Sequence, residues 1–202
     1  MGPLAYAEYL PEDEPLLAAR ANAADLGGTE PVLPAVGAAL RFLACAVGAR
    51  TAVEIGTGCG SSGLWLLRGM RPGATLTSVD TEPEYQRRAR KSFLAAGFAP
   101  NQCRLILGRA LDVLPRLSDG AYDMVFCDAD PRDYPDYLAA ALRLLRAGGA
   151  VAFNNALAGS PGDDSGDSGA ADVAGQVRAD DRLVPVLLPL GDGLLAAVKR
   201  ND

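Results

Sequence analysis

The chain has 202 residues, is 49% hydrophobic and carries a formal net charge of −6. That suits one α/β domain with its own core, contains no apolar run near the ~20 residues of a membrane span, and opposes a nucleic-acid substrate held through its phosphates. Four scattered cysteines and no histidine disfavour structural zinc, remove Ser-His-Asp and Cys-His catalysis, and fit a reduced, cytoplasmic setting.

In chain order, Met1 to Tyr9 lacks the basic region and apolar core of an export signal. Apolar spacing predicts helices over about Glu12–Asp25 and Pro31–Val47, the second with Val36, Leu40, Leu43, Ala44 and Val47 on one stripe. The segment up to about Val47 holds more apolar residues (Leu4, Tyr6, Tyr9, Leu10, Leu16, Leu17, Leu26) than one flank of a small domain needs. It either packs on its own sheet or supplies contacts to a second copy. A strand at about 52–56 enters a glycine turn, and a helix runs from Ser61 to about Met70. A second strand, Ala74–Val79, ends at Asp80. Pro83 opens a helix carrying Tyr85, Ala89 and Phe93, which stops at Gly97; its Arg87, Arg88, Arg90 and Lys91 read as a solvated face.

A third strand covers Arg104–Leu107 and a short helix Ala110–Leu117. The fourth strand, Tyr122–Cys127, ends at Asp128. Tyr134–Leu145 reads as a helix with Leu138, Leu142 and Leu145 inward and Gly148-Gly149 as its stop, and the fifth strand, Ala150–Phe153, ends at Asn154-Asn155. Residues 159–175, rich in Gly, Ser and Asp, read either as a solvated loop with a short helix after it or as a mobile lid. Leu183–Leu190 and Leu194–Lys199, around Gly191-Asp192-Gly193, read as a hairpin. The pattern is a mostly parallel sheet with helices on both faces, finished by an antiparallel hairpin.

In such sheets ligands sit at the carboxyl ends of the strands, where Glu54, Asp80, Asp128 and Asn154 all fall. The turn Val53-Glu54-Ile55-Gly56-Thr57-Gly58-Cys59-Gly60-Ser61-Ser62 clears side chains where a ligand approaches the backbone. Asp80, ending the next strand, is placed to accept from two ribose hydroxyls, which points to an adenosine-type cofactor. A dinucleotide fingerprint wants glycine or alanine where Ser61 stands, and Glu54 would repel a pyrophosphate but attract a sulfonium or ammonium. Both features favour S-adenosylmethionine over NAD.

Pro34, Gly37, the V-E-I-G-T-G-C-G-S-S turn, S-V-D-T-E-P-E, Y-D-M-V-F-C-D-A-D, L-L-R-A-G-G and L-P-L-G-D-G together resemble the S-adenosylmethionine-dependent O-methyltransferases of the catechol and caffeoyl-CoA type. The likeness runs from about residue 30 onward and is strongest to an actinobacterial group with D-A-D-P after the fourth strand. It implies a class I methyltransferase, Rossmann-like α/β fold with a seven-stranded sheet. Residues 1–48 would be a helical extension of the same domain, and 49–202 the cofactor-binding part.

The resemblance also implies roles. Val32, Glu54, Gly56 and Thr57 would contact or frame the methionine end of the cofactor, and Ser62 would bond its carboxylate. Asp80 would hold the ribose and Ala110 flank the adenine. Asp128 and Asp130 would face the ammonium and the methyl acceptor, with Asp128 catalytic. Metal-dependent relatives hold a divalent cation with an Asp after strand four and an Asp-Asn pair after strand five; here those positions are Asp128, Asn154 and Asn155, and a lysine of the relatives is Pro131. The implied metal site is weak or empty, with proton removal falling to Asp128, a tyrosine such as Tyr134, or water. The implied partners are a small-molecule acceptor, phenolic or another hydroxyl, and a second copy in a homodimer, with neither nucleic acid nor membrane. The other reading is a protein that keeps the cofactor pocket and has lost turnover.

Overall fold

The computed structural model describes residues 10–157 and 168–201. The sequence expectations for Leu4, Tyr6 and Tyr9, and for the first part of 159–175, lie outside them. Two helices come first, α1 (Glu14–Leu26) and α2 (Pro34–Ala46). Asp13 caps α1 by accepting from the Leu16 amide at 3.3 Å. The second helix starts three residues later than its apolar pattern suggested. Leu33 is extended at φ −60°, ψ 149°, because the residue before a proline is held out of the helical region.

Alternating units follow: β1 (Thr51–Ile55), α3 (Ser61–Gly69), β2 (Thr75–Asp80), α4 (Pro83–Ala95), β3 (Cys103–Leu107), α5 (Ala110–Val113), β4 (Tyr122–Cys127), α6 (Tyr134–Leu144), β5 (Leu145–Phe153), α7 (Ser168–Ala179), β6 (Leu183–Leu188) and β7 (Leu194–Lys199). The seven strands lie in the order β3-β2-β1-β4-β5-β7-β6. Pairing is parallel from β3 to β5 and antiparallel for β5–β7 and β7–β6. This is the mostly parallel sheet with a terminal antiparallel hairpin that the pattern predicted.

Helices cover both faces, each over its own apolar layer. Val36, Leu40, Leu64, Trp65 and Phe93 pack against Leu76 and Phe126 on one face. Tyr134, Leu138, Val173 and Val177 pack against Val53, Val125 and Phe153 on the other. Strands buried on both sides account for the near-continuous apolar runs of β1 and β4.

One boundary is corrected. Gly148-Gly149 do not stop α6. The helix ends at Leu144 and β5 begins at once, with a register shift between its pairing at Leu145 and at Ala150. The glycines sit in that bulge, where Gly148 has φ +72°. The bulge sends Arg146 back to Asp123 at 2.5 Å and to the Val47 carbonyl at 2.9 Å. Asp123 also accepts from the Arg50 and Thr51 amides at 2.8 and 2.9 Å, so the lower ends of β1, β4 and β5 are tied together.

The expected solvated face of α4 holds for Arg87, Arg90 and Lys91, which are exposed. Arg88 is an exception. It donates to Asn22 at 2.6 Å and to Glu84 at 3.1 Å, fastening α1 to α4. Among the described residues no helix is long and apolar enough to cross a membrane.

Candidate active site

A cavity of about 450 Å³ opens at the carboxyl ends of β1, β2 and β4. Its floor is the turn after β1. Gly56 has φ +93°, and a Cβ there would run into the Asp128 carbonyl, so no other residue lets β1 and β4 part at this height. Asp80 shapes the same turn from β2: Oδ2 accepts from the Thr57 and Gly58 amides at 2.9 and 3.0 Å, and Oδ1 from the Glu82 amide at 2.9 Å. Oδ2 is thereby filled by two amides, and Oδ1 retains one acceptor site.

Of the residues singled out from sequence, Val32, Gly56, Thr57, Ser62, Asp80, Ala110, Asp128 and Asn155 line the cavity. Glu54 lies beneath its floor, fully buried. It accepts from Ser62 Oγ at 2.6 Å and from Ser78 Oγ at 2.5 Å, while Thr57 Oγ1 meets Ser78 Oγ at 2.7 Å. Burial pushes its carboxyl up to about 8, against the pull of Ser62 and Ser78, with Asp128 and Asp80 adding to the rise. Asp130 stands apart from the cavity. It is exposed, accepts from the Arg132 amide at 3.0 Å and pairs with the Arg132 guanidinium, which holds its carboxyl below the usual range.

Asp128 and Asn154 end β4 and β5 side by side, with Asn154 Nδ2 donating to Asp128 Oδ1 at 3.0 Å. Burial pushes the Asp128 carboxyl up to about 6, opposed by that amide. Asn155 has φ +53°, the one left-handed non-glycine among the described residues. Asparagine is among the few non-glycine residues that adopt this region readily, so the turn after β5 closes at little cost.

The tyrosine of interest changes. Tyr134 is fully buried and its hydroxyl donates to the Asn154 carbonyl at 2.9 Å, so it props the strand end from below. Tyr137, one helical turn on, lines the cavity and donates to Asp133 at 3.2 Å. Burial and the Asp133 charge hold its phenol well above the usual range. Sequence reasoning also passed over Tyr85 as a site residue; it lines the cavity and donates to the Gly27 carbonyl at 3.1 Å. Its place in the first turn of α4 sets it at the cavity mouth. Across the mouth runs the α1–α2 connection, whose Val32 carbonyl accepts from Arg20 at 3.0 Å.

The sequence model of a family described as O-methyltransferase matches residues 21–200. This chain belongs to that O-methyltransferase family. A Mycobacteroides abscessus relative, provisionally named an O-methyltransferase, is 51% identical over 193 residues, covering 93% of this chain and 89% of its own. A Corynebacterium glutamicum crystal structure superimposes with a TM-score of 0.89 at 34% identity, covering 98% of this chain and 96% of that one. The O-methyltransferase TomG from Streptomyces achromogenes, involved in tomaymycin synthesis and solved in complex with SAM, gives 0.87 at 27% identity, covering 98% and 95%. As an O-methyltransferase, the chain carries its cavity at the strand ends where an α/β sheet places its ligand.

Proposed function

We propose that this O-methyltransferase moves a methyl group from S-adenosylmethionine to a phenolic hydroxyl of a small molecule. The observation that carries the reading is the pair of carboxylates bracketing the cavity, Asp80 from β2 and Asp128 from β4. The cavity fits the cofactor: the glycine turn leaves room along the backbone, and Asp80 keeps one acceptor site on Oδ1 for a ribose hydroxyl, where the sequence suggested two. S-adenosylmethionine supplies the methyl group already activated on its sulfonium. On this reading Val32, Gly56 and Thr57 frame the methionine end, Ser62 bonds its carboxylate and Ala110 flanks the adenine. Glu54 supports Ser62 from beneath, and Asp130 acts, if at all, by shaping the loop after β4.

The chain's own task is to hold the acceptor oxygen in line and take its proton. Asp128 suits the second role, since its carboxyl is raised toward neutrality and it lines the cavity. The donor set does not fit a divalent cation. Asn154 offers Asp128 an amide N–H, and the three inherited positions carry one carboxylate.

The coarser features are read with the site. Leu16 and Val36 share one core with Leu64 and Phe93, which supports taking 1–48 and 49–202 as parts of one domain. Four free thiols, three of them buried, support a reducing, cytoplasmic setting. Exposed Leu33 beside the α1–α2 connection, and exposed Val184, Val186 and Leu187 on the edge strand β6, support a homodimer.

The deciding experiment is a melting curve with saturating S-adenosylhomocysteine, followed by a methyl-transfer screen over catechols and acidic phenols. Stabilisation with transfer supports the reading. Stabilisation without transfer to any hydroxyl would favour a protein that keeps the pocket without turnover, and a curve indifferent to the ligand would overturn the cofactor assignment.

A further inference from the structure

Beneath the cavity floor, two hydroxyls converge on one carboxylate and a third joins one of them. Ser62 Oγ spends its single proton on Glu54 Oε1 at 2.6 Å, Ser78 Oγ spends its own on Oε2 at 2.5 Å, and Thr57 Oγ1 closes onto Ser78 at 2.7 Å. So arranged, Ser62 can only accept from anything above it. The carboxylate of an amino-acid ligand also only accepts. With Glu54 ionised, the two would meet as acceptors with no hydrogen between them.

One added proton resolves the conflict. A neutral Glu54 donates from Oε1 to Ser62 Oγ and still accepts from Ser78 at Oε2, and the Ser62 hydrogen turns up into the cavity. We propose that Glu54 is the proton store of this site: a ligand carboxylate engages Ser62 only over a neutral Glu54, and where Glu54 is ionised beforehand, binding draws one proton from solvent onto it. The proposal rests on the reading of Ser62 as the carboxylate partner. Glu54 acts through Ser62 and is a positioning residue.

The surroundings favour the neutral form. Glu54 sits on β1 between Ser78 of β2 and Phe126 of β4, with no exposed surface. The charged groups acting on it, Asp80 at the end of β2 and Asp128 at the end of β4, are both acids. From β3 it is felt by the Cys103 thiol, and α3 contributes Ser62. Its carboxyl is raised to about 8, so near neutral pH the proton is within reach.

The test is isothermal titration of the full chain with S-adenosylhomocysteine between pH 7 and 9.5, using wild type, Glu54→Gln and Ser62→Ala. The ligand's own amine titrates equally in all three and cancels between them. The side-chain amide of the Glu54→Gln variant offers Ser62 a permanent N–H, so that variant should bind as tightly as wild type at pH 7. Above pH 8 wild type should lose affinity faster than this variant, approaching an extra tenfold per pH unit, roughly the limit for one linked proton. 5′-Methylthioadenosine, which lacks the carboxylate, should bind both with no such difference. Should Glu54→Gln fail to fold, calorimetry at pH 8.5 in buffers of different ionisation enthalpy decides: wild type should take up more protons on binding than Ser62→Ala. Parallel pH profiles for wild type and Glu54→Gln, or equal proton uptake by wild type and Ser62→Ala, would overturn the linkage while leaving the cofactor reading intact. Wild type that binds 5′-methylthioadenosine but not S-adenosylhomocysteine at pH 7 would overturn the Ser62 assignment and the linkage with it.

Discussion

Asn154 reaches from the end of β5 to Asp128 at the end of β4 and donates its amide hydrogen at 3.0 Å. An aspartate at 154 would set two carboxylates against each other, a pairing that a cation or a proton must relieve. Asn154→Asp should therefore raise the Asp128 carboxyl further and create an affinity for Mg²⁺ or Ca²⁺, readable by titration calorimetry. Wild-type methyl transfer should be indifferent to EDTA. Complete loss with chelator and rescue by the ion would show that Asn154 still ligates.

Asp128 as the base has a signature in pH. Its carboxyl is raised to about 6, and a base works once it has lost its proton. The rate should then climb through about pH 6 and level off above it, before any further rise from the acceptor's own ionisation. Asp128→Asn should remove the lower limb and reduce kcat by about 10²–10⁴-fold, the usual range for a positioned general base. A variant with an unchanged profile would remove Asp128 from that role.

Asp80 has two duties, which two variants separate. Asp80→Ala should weaken S-adenosylhomocysteine binding by about 1.5–3 kcal/mol, the range for hydrogen bonds to a charged group. It also strips the Thr57 and Gly58 amides of their acceptor. Asp80→Asn can keep an oxygen for those amides and should lose less thermal stability while still losing affinity. Equal affinity in wild type and both variants would show that the ribose lies elsewhere.

The raised carboxyl of Glu54 also sets a trend in stability. Unfolded, this acid loses its proton near its ordinary value of 4.5; folded, near 8. Between those values the native state holds the extra proton, so stability from this group is complete below the lower value and falls as pH rises through the higher one. Glu54→Gln should flatten that decline, with the largest relative gain in Tm above pH 8. A variant that declines in parallel with wild type would show that Glu54 is ionised throughout.

Assembly is checked by light scattering at micromolar concentration, where a dimer is expected. Val186→Lys on the exposed edge strand should shift it toward monomer while lowering the stability of the protomer by no more than the ~0.5 kcal/mol usual for a surface change. A wild-type monomer would end the dimer reading.

Much of this architecture was legible because strand and helix periods alternate cleanly and each strand end is marked by a polar residue. Gly56, Asp80, Asp128 and Asn154 could be placed by position alone, since a parallel sheet brings its carboxyl ends to one edge. Three things could not be read. Whether Gly148-Gly149 stop a helix or open a bulge depends on pairing with β4, which is not local. Which of Tyr134 and Tyr137 faces the ligand turns on helix rotation, and both lie on nearly the same side. From sequence Glu54 is an anion beside a cationic ligand, whereas the register Glu54–Ser78 and the approach of Ser62 put it in a closed hydroxyl cluster. Cross-strand register is not written in either strand alone.

The position of β7 has a further consequence, for how the chain comes to be folded. It lies between β5 and β6 in the sheet, although β6 is made first. Until synthesis has passed residue 199, β5 has an open edge, and β6 has no neighbour through which to join the sheet. The nascent chain must keep that edge unoccupied while the last strand is still being delivered, and a second nascent chain offers the same strand. Swapping of β7 between two copies is the error this topology invites.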